Sequence, residues 1–164
     1  MKPNLFTQLT LAATLVVLST TAIAHDDATL DRMNAPHNGQ LRMVGIHHFE
    51  LVIAKDNKEA KNSPVDVYIT DHAGTKFPTV GATGIATILT NKNKSIVKLA
   101  AAGDNKLTGI GSYSYNPDTK VVVVVTFADE STGQAKFTPA TEMSSSMQDE
   151  MHDHANMKIG RAHV

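Results

Sequence analysis

Thioether and imidazole side chains crowd one stretch of this sequence. Met143, Met147, Met151 and Met157 are four of the seven methionines in the 164-residue chain, and His152 and His154 lie among them. Thioether sulfur is soft and selects Cu(I), whereas imidazole suits Cu(II), zinc and nickel. A segment offering both donor types can hold copper through a change of oxidation state. Met143, Met147 and Met151 are spaced four apart, so a helix would align them in one row. Such a row is also the pattern of an apolar packing face. No Leu, Ile, Val or Phe stands beside it before Ile159, which favours ligation over packing.

A second group is His37, His47, His48, Glu50 and His72. In a strand, side chains alternate between faces, so His48 and Glu50 share one side while Phe49, Leu51 and Ile53 share the other. His37 precedes Asn38-Gly39 and is positioned as a loop ligand for that pair. Two such groups and a third from a loop suit Cu(II) or zinc. Taken singly, each His reads more readily as structural or merely exposed than as a ligand. A third possibility is His25, whose ring and α-amino group would chelate Cu(II) if it began the mature chain. Catalytic motifs are missing. No G-x-S-x-G, H-E-x-x-H or phosphate-binding glycine loop occurs, and no spacing pairs a nucleophile with a base. Binding without turnover is therefore expected.

The elements that must position these groups are strands. His47–Ala54 alternates, Val65–Thr70 alternates cleanly, and Gly84–Thr90, Ser95–Ala101, Lys106–Ser112, Lys120–Phe127 and Gln134–Thr138 follow. Turn chemistry separates them at Asp71-His72-Ala73-Gly74, Asn91-Lys92-Asn93-Lys94, Gly103-Asp104-Asn105, Asn116-Pro117-Asp118 and Ser131-Thr132-Gly133. Lys120–Phe127 is β-branched on both faces and is expected to be the central strand. Asp27–Met33 is expected to form one helical turn, ended by Pro36. The spacing predicts an all-β domain over 37–139, an antiparallel sandwich of about seven or eight strands, immunoglobulin-like or a small barrel. Residues 25–36 form a polar lead-in, and 140–158 form the Met/His-rich tail.

Both ends carry separate signals. Lys2, the apolar run Leu9–Leu18 and the Ala22-Ile23-Ala24 site read as a secretory signal peptide over 1–24. The apolar run is shorter than the roughly 20 residues of a membrane span. The periplasm or the exterior is the expected destination. The last six residues, Ile159-Gly160-Arg161-Ala162-His163-Val164, resemble the translation of a sequencing adapter. His163 is accordingly left out of the ligand set.

Composition narrows the classes further. With 15 Lys+Arg against 16 Asp+Glu, the net charge of −1 is too small for a phosphate-binding surface. The absence of Cys excludes disulfide scaffolds, thiolate zinc sites, iron–sulfur clusters and Cys nucleophiles. Nucleic acid is not an expected partner, because basic residues are scattered and aromatics few.

Three stretches carry a family resemblance. Pro36-His37-Asn38-Gly39-Gln40, His47-His48-Phe49-Glu50-Leu51-Val52 and Val67-Tyr68-Ile69-Thr70-Asp71-His72-Ala73-Gly74 look like PHGGQ, YHFELV and VYVTDHAG. These patterns mark a group of small exported proteins often encoded beside heavy-metal efflux or copper-resistance systems. Gly103–Gly109 resembles their GGNRLTG, so the likeness covers roughly 35–112. Asn38 departs from the pattern, standing where the first Gly is usual. The chain differs from periplasmic copper-binding sandwiches with an Asp-x-His element, since Asp71 and His72 are adjacent. It also differs from copper chaperones that place a Trp over the metal, because it has no Trp.

The resemblance and the donor types together imply periplasmic binding, buffering or delivery of copper, with zinc or nickel as alternatives. The expected ligands are Met143, Met147, Met151, His152, His154 and Met157, with a second set at His37, His48, Glu50 and His25. A periplasmic efflux adaptor is the expected partner. The competing expectation is a protein-interaction module that docks on such an adaptor and binds no metal.

Overall fold

The computed structural model describes residues 27–91 and 93–139. A single helical turn, α1 (Asp27–Leu30), precedes eight strands: β1 (Gln40–Val44), β2 (His47–Ile53), β3 (Lys61–Asp71), β4 (Thr83–Thr90), β5 (Asn93–Ala101), β6 (Lys106–Tyr113), β7 (Lys120–Thr126) and β8 (Thr132–Phe137). All pair antiparallel in one sheet, in the order β1-β2-β3-β6-β5-β4-β7-β8. The sheet is rolled nearly closed, so the small-barrel form of the expected all-β domain is the one found.

Closure has two weak seams. β5 and β6 pair only at Ala100–Thr108 and Ala101–Leu107. Gly109 and Gly111 let β5 cross close over β6, since a Cβ on either would stand 2.2 Å from the Lys98 carbonyl or 2.3 Å from Val97 Cγ2. At the other seam β1 meets β8 through side chains. Arg42 Nε donates to the Lys136 carbonyl at 3.2 Å, and the Thr138 N–H donates to Gln40 Oε1 at 2.8 Å. Arg42 is also ion-paired with Asp31 at 2.6 Å, which ties the segment after α1 to this seam.

Period-two alternation supplies the core. Phe49, Leu51, Val65, Val67, Ile69, Ala86, Ile88, Val97, Leu99, Leu107, Val121, Val123, Val125 and Phe137 all point inward and are buried. At about 25 cal/mol per Å² of apolar surface, this burial is the main stabilising contribution.

Three expectations need correction. Lys120–Phe127 is not central: β7 lies seventh of eight in the sheet, and its Val122 and Val124 face outward, half-buried. Its β-branched residues satisfy strand geometry on a face that carries little cover. β1 was not foreseen as a strand, because polar Gln40 and Arg42 occupy its inward positions and interrupt the alternation. Both are buried, and both serve the seam. β3 also starts earlier than expected, through Pro64. That is tolerated because Pro64, though in register with Ile110 of β6, turns its backbone toward the β2 side, where β2 has ended at Ile53–Val65 and the Tyr113 hydroxyl takes its carbonyl.

Candidate functional site

The outer face of β2 is where the sequence-predicted cluster assembles. His48 and Glu50 point away from Phe49, Leu51 and Ile53, as alternation requires, yet both are buried. Their cover is the chain leading into β1.

Glu50 is the anchor of that cover. Its Oε1 accepts from the His37 N–H at 2.7 Å and the Gly39 N–H at 3.0 Å. Its Oε2 lies 2.8 Å from His37 Nδ1, which donates because a carboxylate only accepts. A buried carboxylate is costly unless its lone pairs are satisfied, and three donors meet that need. The approach depends on Gly39, where a Cβ would stand 2.5 Å from the Leu51 carbonyl oxygen. Asn38 adopts a left-handed conformation, φ 57°, that Asn tolerates better than most residues. It therefore serves at the position where the resembling pattern has Gly. The His37 ring lies flat on Tyr68, with centroids 3.5 Å apart and planes within 4°. Tyr68 is the cross-strand partner of Glu50, so stack and carboxylate clamp belong to one unit.

His72 comes from the turn after β3. Asp71 closes that turn by accepting from the Ala73 and Thr75 N–H groups, both at 2.8 Å. Those backbone donors, Thr75 first, hold the Asp71 carboxyl below its ordinary range. His72 lies within 3.4 Å of the Gly45 carbonyl and stacks against His48, with ring centroids 5.0 Å apart and planes 8° apart. Between the lead-in and this turn lies a cleft of about 230 Å³. Its lining includes Met33, His37, His48, Glu50, Thr70 and His72.

The arrangement divides the predicted ligands. His37 and Glu50 are joined to each other, which commits Nδ1 of His37 and both Glu50 oxygens. His48 shares the cleft with them, and His72 completes an imidazole pair. Among the described residues no three His, Asp or Glu side chains form a ready metal-binding group. The cleft instead offers two imidazoles with the thioether of half-exposed Met33 nearby. Two borderline nitrogens and one soft sulfur match copper better than calcium or magnesium.

His47 is separated from this cleft. It sits at the open end of the barrel against Phe77 and Phe127, at ring-centroid distances of 4.2 and 5.3 Å. Burial lowers its pKa, with Asp71 and Asp129 opposing the shift. Its Nδ1 is buried and lacks a hydrogen-bond partner among the described residues. It lines a second, more open hollow of about 380 Å³.

The remaining predicted ligands, Met143, Met147, Met151, His152, His154, Met157 and His25, lie outside the described residues. Sequence reading missed Met33 and Tyr68. Tyr68 was recoverable, because it has the outward parity of β3 and pairs with Glu50's strand. Met33 stands in a segment without periodicity, so nothing in the sequence tied it to the cleft. Set beside models of protein families, curated proteins and solved structures, the chain matches none of them.

Proposed function

We propose that this protein binds copper, or a similar transition metal, in the periplasm and buffers it or passes it to an efflux partner without turnover. The observation that carries the reading is the His48–His72 pair beside Met33 in one cleft. The same cleft is lined by Glu50 and His37, whose clamp with Gly39 fixes the lead-in beside the pair. A preformed pair lowers the ordering cost of capture. The soft donors Met143, Met147, Met151 and Met157, with His152 and His154, add a second ligand set on the same chain. The signal sequence and the likeness to proteins encoded beside copper-resistance systems agree with this compartment and cargo. Ligation requires neutral imidazole, so affinity should weaken on acidification.

Cu(I) is diamagnetic, so an NMR titration under reductant reads the site directly. The expected result is saturable movement of the His48 and His72 ring signals and the Met33 methyl signal. Movement confined to Met143, Met147 and Met151 would transfer the site to the tail. No movement of any His or Met signal would refute metal binding.

A further inference from the structure

The two outer faces of the barrel are unequal. One, on β1-β2-β3, is covered by the lead-in through the Glu50 clamp and the His37–Tyr68 stack. The other, on β5-β4-β7-β8, is bare. Its outward positions carry Ile85, Leu89 and Ile96, exposed to 48%, 41% and 60%, with half-buried Val122 and Val124. The registers join them. Ile85 pairs with Val124, and Thr87 lies between Ile96 and Val122. Lysines surround this stripe: Lys94 and Lys120 flank Leu89, Lys98 pairs with Ile85, and Lys136 pairs with Val122. No Asp or Glu occurs in these four strands. Among the described residues none of the four lysines is ion-paired.

The chain itself contains a segment of complementary chemistry, and it begins at the edge of this face. Residues 140–158 continue from β8 by way of Thr138 and Pro139. Up to Met157 they carry Glu142, Asp149, Glu150 and Asp153 and no Lys or Arg. Their methionine row lacks apolar neighbours of its own, and the bare stripe supplies them. On a helix, Met143 to Met151 would span about 12 Å. Crossing from β8 to β5 takes three strand spacings, about 14 Å.

We infer that residues 140–158 dock on the outer face of β5-β4-β7-β8 of their own chain. The methionine row lies against Leu89, Val122 and Ile96, and the carboxylates meet Lys94, Lys98, Lys120 and Lys136. The contact uses the same methionine row that the proposed function offers to copper, so docking and ligation by Met143, Met147 and Met151 compete.

The chain has no Cys, so Ser145→Cys provides a single attachment point for a nitroxide. The test uses the mature full-length chain and reads amide NMR intensities. The expected result is selective loss at β4, β7 and β8. The loss should be reversed in about 1 M salt, where charges are screened within about 3 Å. It should also be reversed by Lys94→Glu/Lys120→Glu/Lys136→Glu. The salt arm needs no substitution in the barrel, so it stands even if that variant folds poorly. Loss spread evenly over the barrel, or centred on β1-β2-β3, would overturn the inference. So would loss in an isotope-enriched, unlabelled chain mixed with spin-labelled, unenriched chain, because the docked segment would then come from another copy.

Discussion

Replacing Glu50 gives two variants whose costs should differ several-fold. Its carboxylate accepts three hydrogen bonds, from the His37 and Gly39 backbone N–H groups and from His37 Nδ1. A hydrogen bond to a charged group contributes about 1.5–3 kcal/mol net. Glu50→Ala removes all three acceptor contacts. The released lead-in can turn its donors toward water, so the losses do not sum fully, and about 3–4 kcal/mol is expected. Glu50→Gln keeps an oxygen that can serve both backbone donors. Its amide replaces Oε2 and can donate to Nδ1 of a neutral His37. About 1 kcal/mol is expected for that change. At roughly 4 °C per kcal/mol for a domain of this size, Tm should fall by about 12–16 °C for Ala and about 4 °C for Gln. Thermal and urea unfolding followed by circular dichroism would measure both. Equal losses, or a loss under about 1 kcal/mol for Ala, would refute the clamp.

Other substitutions test neighbouring parts of the account. Gly39→Ala places a Cβ 2.5 Å from the Leu51 carbonyl oxygen, and urea unfolding should show a loss of about 2 kcal/mol. Phe49→Ala empties a fully buried position in β2 and should cost about 3–5 kcal/mol in the same assay. Burial raises the Tyr113 phenol above its ordinary pKa, and its hydroxyl donates to the Pro64 carbonyl at 2.8 Å. The unfolded chain therefore loses this proton first. The contribution is complete below about pH 10 and fades as pH rises through the folded value. Tyr113→Phe should flatten the alkaline decline of Tm, and an unchanged decline would contradict that assignment.

Legibility in the sequence followed the use of each residue. Strands whose inward positions are apolar, such as Val65-Asp66-Val67-Tyr68-Ile69, were readable from alternation alone. β1 was not, because Gln40 and Arg42 face inward to join the seam with β8. The valine run of β7 misled for the opposite reason: β-branched residues fit any strand, whether or not its second face is covered. At the site, parity placed His48 and Glu50 together correctly. It also separated His47, which the sequence reading had grouped with them. Parity could not show that Glu50 would be occupied by His37 and Gly39, because that depends on a non-local loop path. The pairing of His48 with His72 depends on the β2–β3 register and on the turn at Asp71, neither of which local pattern fixes.

The central claim is that this chain holds copper. Equilibrium dialysis of residues 25–164 against Cu(I) under reductant tests it most directly, with metal and protein quantified afterwards. The account predicts retention of at least about one copper per chain, reduced in a His48→Ala/His72→Ala variant. Copper no higher than in a parallel control protein without methionine or histidine would contradict it.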